Sequence, residues 1–193
     1  MALLPILQYP HPRLHIVAKP VLAVDARIQA LVADMIATMY AAKGVGLAAQ
    51  QVAQALQLTV IDVRPATDRP STIEVDGKPA DVLDYMPLVL INPELKPIGE
   101  SLDGPEGCLS FPELYADITR PEFVEVTALN EKGKPIKFKA GGLLSRAVQH
   151  EVDHLNGILF IDRMDKKTKA QMQLELDDLQ ADTKARLQLA RKK

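Results

Sequence analysis

The stretch Gln149-His150-Glu151-Val152-Asp153-His154 is the most informative part of this chain, because it contains the pattern His-Glu-x-x-His. Residues four apart in a helix lie on one face, so the imidazoles of His150 and His154 can bind one metal ion. Glu151 lies beside them, where its carboxylate can accept a proton from water that the metal has acidified. The stretch therefore predicts a metal site on a helix, although a bare His-Glu-x-x-His also occurs by chance on exposed acidic helices.

Length and composition favour one compact domain. The chain has 193 residues, of which 47% are hydrophobic, and this is enough for a true core. The formal net charge of −2 gives no basic excess of the kind that favours general nucleic-acid binding. No apolar run approaches the ~20 residues of a membrane span, and the N-terminus lacks a signal-peptide pattern. One cysteine excludes an intramolecular disulfide, so the sequence predicts a cytoplasmic protein.

Hydrophobic periodicity predicts both helices and strands. Asp25 is expected to cap an amphipathic helix, with Gly44 just past its end as the C-cap, and Gly44–Gln51 reads as a loop of small residues. A second helix, which carries the histidine pair, is expected from about Leu143 to Leu155. Strands are expected at 58–63, 88–93, 123–129 and 136–140, with an exposed hairpin or excursion at 64–86.

The chain from 166 to 193 is expected to form a C-terminal amphipathic helix or tail that frays at 191–193. The apolar side of this helix, with Met172, Leu176 and Leu179, is expected to pack on the domain. Residues 1–165 are then expected to form a single catalytic domain.

A catalytic metal site usually has three protein ligands and one open position. No histidine follows His154, and the remaining histidines, His11 and His15, lie in an extended N-terminal segment. Cys108, in Glu106-Gly107-Cys108-Leu109-Ser110, is the other candidate, since a thiolate binds iron or zinc strongly. A lone cysteine is more often a small buried hydrophobic residue, but here it lies in a glycine-flanked polar segment.

Three segments together resemble the signature motifs of the peptide deformylase family: Gly44-Val45-Gly46-Leu47-Ala48-Ala49-Gln50-Gln51, Glu106-Gly107-Cys108-Leu109-Ser110 and Gln149-His150-Glu151-Val152-Asp153-His154. They occur in the family's order and at similar spacing, and the resemblance extends over roughly residues 4–165. It implies an α+β fold in which β-sheets surround a central helix with the His-Glu-x-x-His motif, with an N-terminal and a C-terminal helix in addition. It also implies an enzyme that removes the formyl group from N-terminal formyl-methionine.

The resemblance implies a role for each matching residue. Cys108, His150 and His154 would hold one divalent metal ion, with Fe(II) expected and Zn, Ni or Co as alternatives. Glu151 would be the general acid and base. The side-chain amide of Gln51 and the backbone N–H of Leu109 would stabilise the oxyanion that develops on the formyl oxygen.

The resemblance also assigns residues around this centre. The substrate cleft would be lined by Gly44, Val45, Gly46 and Leu47, with Ala147 and Val148 as further candidates for a methionine pocket. Glu106 would form a structural ion pair with Arg120, with Arg146 as an alternative partner. The family position that carries an arginine at the substrate rim in some bacterial members is Tyr115 here.

The implied partners are nascent N-formylmethionyl polypeptides. The C-terminal helix is a candidate for contact with the ribosome near the exit tunnel, whereas no sequence-specific nucleic-acid binding and no membrane association are expected. Two other functions remain open from the residues alone. A zinc endopeptidase shares the His-Glu-x-x-His logic but needs a different third ligand, and a structural metal module normally has four protein ligands. An inactive deformylase-like protein is a further alternative, although every motif residue is intact.

Overall fold

A computed structural model describes residues 1–190 of the chain. It contains seven strands and five α-helices within those residues. The strands are β1 (Gly46–Ala48), β2 (Leu58–Ile61), β3 (Ser71–Val75), β4 (Lys78–Ala80), β5 (Leu88–Cys108), β6 (Phe111–Leu129) and β7 (Pro135–Gly141). The helices are α1 (Ala26–Ala41), α2 (Gly142–Leu155), α3 (Phe160–Arg163), α4 (Lys166–Gln171) and α5 (Gln173–Ala190). None of these helices is long and apolar enough to cross a membrane.

All seven strands belong to one antiparallel sheet with the order β1-β2-β5-β6-β7-β3-β4. The predicted α+β class is confirmed: α2 contacts β1, β2, β3, β6 and β7, so the sheet surrounds this helix. Helix α1 packs its buried face, which includes Val32, Met35 and Met39, against β1 and β2. The carboxylate of Asp25 accepts a hydrogen bond from the backbone N–H of Ile28 and caps α1 as predicted.

The strands β5 and β6 are much longer than predicted. The Asn92-Pro93 pair was expected to end a strand at residue 93, but Asn92 adopts a left-handed conformation with φ of 52°, and the pairing shifts register there and continues. A β-bulge of this kind absorbs an extra residue without ending the strand. As a result β5 and β6 form one hairpin that closes where Cys108 lies opposite Phe111, which puts Leu109 and Ser110 in its turn.

Three further boundaries differ from the prediction. Lys43, with φ of 56°, takes the left-handed position after α1 that we expected at Gly44. The segment predicted as a loop, Gly44–Gln51, instead contains β1 and a 3-10 turn at Ala49–Val52. The C-terminal helix is divided at Met172 into α4 and α5, and the predicted fraying at 191–193 lies outside the described residues. Leu176 is buried against the domain, with Met172 and Leu179 packed beside it, as predicted.

The start of α2 is held by the segment before β3. The backbone N–H of Leu143 donates to the carbonyl of Pro70 at 2.9 Å, and the N–H of Leu144 donates to the Ser71 hydroxyl at 3.1 Å. These bonds satisfy two of the amide groups that a helix leaves free at its N-terminus. The helix ends at Leu155, and the C-cap Asn156 is followed by Gly157, whose φ is 72°. Helix α2 is thereby fixed inside the sheet, and its polar residues other than Arg146 are buried.

Candidate active site

The structure brings the three predicted metal ligands together. Cys108 reaches the site from the end of β5, whereas His150 and His154 lie one turn apart on α2. Their ligand atoms all lie within 4.8 Å of one another, and Sγ of Cys108 is 3.3 Å from Nε2 of His154. Both histidines are buried. The cluster has the thiolate and imidazole donors that a divalent transition metal prefers.

The Glu106 carboxylate orients His150. Its Oε2 lies 2.9 Å from Nδ1 of His150, which leaves Nε2 of that ring free to face the cluster. Glu106 also accepts two hydrogen bonds from Arg120, at 2.7 and 2.9 Å, and all three side chains are buried. Burial alone would raise the pKa of Glu106, but the hydrogen bonds from His150 and Arg120 outweigh burial and lower this pKa to about 2. The carboxylate is therefore ionised at neutral pH and able to accept a hydrogen bond from the Nδ1–H group of His150.

The ion pair between Glu106 and Arg120 is part of a larger network than the sequence suggested. Arg146 was an alternative partner for Glu106, and it donates to the same carboxylate at 2.9 Å while Arg120 is also bound. Arg120 in turn donates to Asp153 at 2.6 Å, and Asp153 accepts from Arg163. Asp153 was missed in the sequence, although it lies inside the motif. It could have been found because it is a third charged side chain on a helix predicted to be buried, and buried charges are normally paired.

Glu151 lies in the same cavity as the cluster, with its carboxylate against the backbone of Gly46. A Cβ atom at position 46 would overlap Oε1 of Glu151, so glycine is required here by close approach. Burial raises the pKa of the Glu151 carboxyl to about 7. Its Oε2 atom is buried and has no hydrogen-bond partner among the described residues. A carboxyl group in this state is suited to exchange a proton near neutral pH.

Gln51 has a fixed orientation. Its Oε1 accepts a hydrogen bond from the backbone N–H of Ala48 at 2.8 Å, so Nε2 points in the other direction. Nε2 donates to the hydroxyl of Ser110 at 3.1 Å and lies 3.5 Å from Sγ of Cys108. The amide donor is therefore next to the cluster. Ser110 was not singled out in the sequence beyond its place in the motif; its complete burial beside a buried amide is a tertiary feature.

A cleft of about 470 Å³ opens over the cluster. Of the four residues predicted to bind substrate, Gly44, Val45 and Gly46 line it, together with Leu109 from the hairpin turn. Leu47 does not: its side chain is fully buried in the core between α1 and the sheet. Side chains alternate along a strand, so Leu47 faces away from the cleft that Gly46 borders. Ala147 lines the cleft as expected, whereas Val148 is buried in the core. Leu143 also lines the cleft and was not predicted from the sequence.

Tyr115 stands at the rim of the cleft with 70% of its surface exposed. Its ring packs on Gly107, where a Cβ atom would come within 2.5 Å of the ring carbons. The absence of a side chain at Gly107 thus leaves room for the close contact of an aromatic ring next to the cysteine ligand. The rim position therefore carries an exposed aromatic side chain in this chain.

The chain is similar to known proteins over most of its length. The model of the polypeptide deformylase family matches residues 3–170. A peptide deformylase of Opitutus terrae is 42% identical over 186 residues, which cover 95% of this chain and 96% of that protein. Among solved structures, the fold is similar to a peptide deformylase from Legionella pneumophila, with a TM-score of 0.76 and 37% identity over 97% of this chain and 98% of the other.

A second solved structure, a peptide deformylase from Synechococcus elongatus in complex with actinonin, has a TM-score of 0.74 and 38% identity over 93% of this chain and 85% of the other. The family model matches most of the chain, and the relatives share this identity over nearly its whole length. These matches leave no other family assignment. The chain belongs to the polypeptide deformylase family.

Proposed function

We propose that this chain removes the formyl group from the N-terminal formyl-methionine of newly made polypeptides, with Glu151 as the group that moves the proton. The observation that carries the proposal is the position of Glu151. Its carboxylate is buried, has a pKa of about 7 and shares a cavity with the cysteine and histidine cluster. A structural metal module would have no use for such a carboxyl group beside its ligands.

Cys108, His150 and His154 are the proposed ligands of one divalent metal ion. The donor set fits, because a thiolate and two imidazoles converge within 4.8 Å and Glu106 fixes the tautomer of His150. When bound, the ion supplies Lewis-acid chemistry, which polarises a carbonyl group and favours ionisation of water near neutral pH. We propose Fe(II) as the native metal, with Zn, Ni or Co as substitutes, since a mixed sulfur and nitrogen site suits several of these ions.

Glu151 accepts one proton from the water that attacks the formyl carbon. The same carboxyl group then donates this proton to the amide nitrogen as the carbon–nitrogen bond breaks. The products are formic acid, which ionises to formate, and a free methionine amino group. One carboxyl group with a pKa near neutrality can serve both steps, because neither of its protonation states is strongly disfavoured.

Gln51 and Leu109 are the proposed donors to the formyl oxygen, on which negative charge develops during the attack. Ala48 holds Oε1 of Gln51, so its Nε2 already faces the cluster before substrate arrives. Leu109 directly follows the cysteine ligand in the turn of the β5–β6 hairpin, so binding of the metal also fixes its backbone N–H. Such donors are effective because the protein orients them in advance.

The peptide is proposed to bind along Gly44, Val45 and Gly46 as an added strand. These residues border the cleft and lead into β1, which pairs with β2 on one side and lies at the edge of the sheet. An edge strand offers backbone groups to an extended peptide. The methionine side chain would enter the cleft beside Leu143 and Ala147.

We further propose that residues 1–165 form the catalytic unit and that the rest of the chain is a C-terminal extension. The function predicts a cytoplasmic enzyme that acts on chains as they leave the ribosome, and the exposed face of α5 is the candidate for contact near the exit tunnel. This face includes Leu174 and several charged side chains. Co-sedimentation with ribosomes of the full chain and of a variant truncated after residue 165 tests this part.

The direct test of the function is release of formate from formyl-Met-Ala-Ser by anaerobically purified protein. We expect turnover by the wild type with about one metal ion per chain, and a loss of at least about a hundredfold in kcat for Glu151→Gln with its metal retained. Formate release by Glu151→Gln at the wild-type rate would overturn the role of Glu151. Hydrolysis of an internal peptide bond by a chain that releases no formate would favour an endopeptidase.

A further inference from the structure

Three charged side chains in the cleft have no role in the chemistry described above. They belong to Lys43, Arg69 and Glu113. Arg146 also lines the cleft, but it forms an ion pair with Glu106. The ion pairs among residues 1–190 leave all three of these side chains without an oppositely charged partner. Two cations and one anion therefore face the space that a substrate would fill.

Arg69 is a half-buried residue in a firmly held segment. Its backbone N–H donates to Ala66 at 3.2 Å, and the next residue, Pro70, accepts the hydrogen bond from Leu143 at the start of α2. The backbone of Arg69 is thus anchored next to the start of α2, and its side chain lines the same cleft as Leu143 and Ala147. An arginine positioned in this way is suited to bind a carboxylate in a defined geometry.

Lys43 lies directly before the cleft residues Gly44, Val45 and Gly46. Its backbone adopts φ of 56°, and its N–H donates to Tyr40 at 3.0 Å, so the turn that presents it is well defined. The side chain borders the cleft, on the edge along which a peptide would extend. A cation at this edge attracts acidic side chains of the bound peptide and repels basic ones.

We propose that Arg69 and Lys43 are specificity-determining residues, which make this enzyme prefer substrates with an acidic side chain among the residues that follow formyl-methionine. This inference rests on the proposed deformylase function. Glu113 acts in the opposite sense, since its carboxylate lines the same cleft and repels an acidic peptide. The excess of cations over anions among these unpaired groups sets the direction of the preference.

The test compares kcat/KM for two peptide series, formyl-Met-Xaa-Ala-Ser and formyl-Met-Ala-Xaa-Ser, in which Xaa is Glu, Gln or Lys. In at least one series, Glu is expected to exceed Gln by about threefold, and Lys to fall below Gln, as for partly exposed charge pairs. Because such interactions are screened, the preference should shrink as salt rises from about 0.01 to about 1 M. Arg69→Gln and Lys43→Gln should each reduce the ratio of Glu to Lys, whereas Glu113→Gln should increase it.

Arg27→Gln is the matched control, because it removes one cation from an exposed site on α1 that does not line the cleft. It should leave the ratio unchanged.

Binding of the deformylated product peptides to the metal-loaded protein, measured by calorimetry, gives a second readout that needs no turnover and should show the same order. Equal values for Glu and Lys in both series, or a preference that survives in the Arg69→Gln, Lys43→Gln double variant, would overturn the proposal. A chain that binds acidic peptides more tightly but releases no formate from any peptide would retain the preference and lose the proposed function.

Discussion

The Glu106 carboxylate lies 2.9 Å from Nδ1 of His150 and is at the same time bound by two arginines. This contact joins the metal cluster to a network of charges in which Arg146 and Arg120 both bind Glu106, and Arg120 also binds Asp153. A histidine whose Nδ1 is held by a carboxylate presents Nε2 to a metal in a fixed direction. The network therefore orients a ligand as well as stabilising the interior.

Replacement of Glu106 by glutamine tests this coupling. Glu106→Gln leaves Arg120 and Arg146 facing a neutral amide, and breaking a buried pair in this way destabilises proteins by about 3–5 kcal/mol. The orientation of His150 is lost together with the ion pair, so metal affinity should fall by roughly 10- to 100-fold. Urea unfolding and competition with a metal chelator measure the two effects.

The control for this change is Glu125→Gln, which removes a carboxylate from the exposed pair with Lys96 at 3.6 Å. An exposed pair contributes about 1 kcal/mol or less, and this one lies outside the metal site, so metal affinity should not change. Wild-type metal affinity in folded Glu106→Gln protein would contradict the positioning role of Glu106.

Gly46→Ala should inactivate the enzyme through Glu151. The new methyl group would overlap the Glu151 carboxylate, which must then move away from the cluster. We expect kcat to fall by about a hundredfold or more while the metal content stays at one ion per chain, because general acid–base catalysis contributes on this scale. Gly77→Ala is the control: its φ of 73° strains an added side chain, but no atom lies near the new Cβ. That variant should lose some stability and keep its kcat.

Gln51→Glu should separate the role of Gln51 as a hydrogen-bond donor from the role of its side-chain orientation. The change keeps the size of the side chain and replaces the donor at Nε2 with an acceptor, which would repel a developing oxyanion. Loss of one such donor typically lowers kcat by about 10²–10³. Ser110→Ala removes the hydroxyl that Nε2 contacts at 3.1 Å but keeps the bond from Ala48, so its effect should be much smaller. Equal losses in both variants would show that the orientation of Gln51, not its donor, is what matters.

Asp62 makes a contribution to stability that depends on pH. Burial would raise its pKa, but hydrogen bonds from Arg64 and Tyr40 outweigh burial and lower it below 3.8. The unfolded chain therefore binds a proton at a higher pH than the folded one. The contribution is fully present above the unfolded value of 3.8 and is lost as pH falls through the lower folded value.

The difference in free energy of unfolding between wild type and Asp62→Asn should be largest near neutral pH and shrink below about pH 4. A difference that stays constant down to about pH 3, or one equal to that of the exposed Asp68→Asn, would contradict this account.

The centre of the fold and most of the site were predictable because local patterns encode them. The spacing of His150 and His154 fixes their common face on α2, and the need for a third ligand pointed to Cys108, the one cysteine of the chain. The long strands were not predictable, since Asn92-Pro93 resembles a strand end and only the pairing of β5 with β6 carries the chain through the bulge. The misplacement of Leu47 has a similar origin: the motif was read as a loop, and only its formation of β1 decides which side chains face the core.

The buried charge network is also larger than the sequence could show. Arg120 and Arg146 were treated as alternative partners of Glu106, because a sequence does not tell how many donors one carboxylate meets. Ser110, Asp153 and Arg69 acquire their roles through contacts between segments that are distant in the chain. Features of this kind require the tertiary structure.

The most direct test of the central claim is X-ray absorption at the metal edge of the loaded protein. With zinc as the probe metal, we expect one sulfur scatterer at about 2.3 Å and nitrogen scatterers at about 2.0–2.1 Å. The sulfur contribution should disappear in Cys108→Ala. A zinc-loaded wild type without a sulfur scatterer, or a spectrum that Cys108→Ala leaves unchanged, would contradict a centre built from Cys108, His150 and His154.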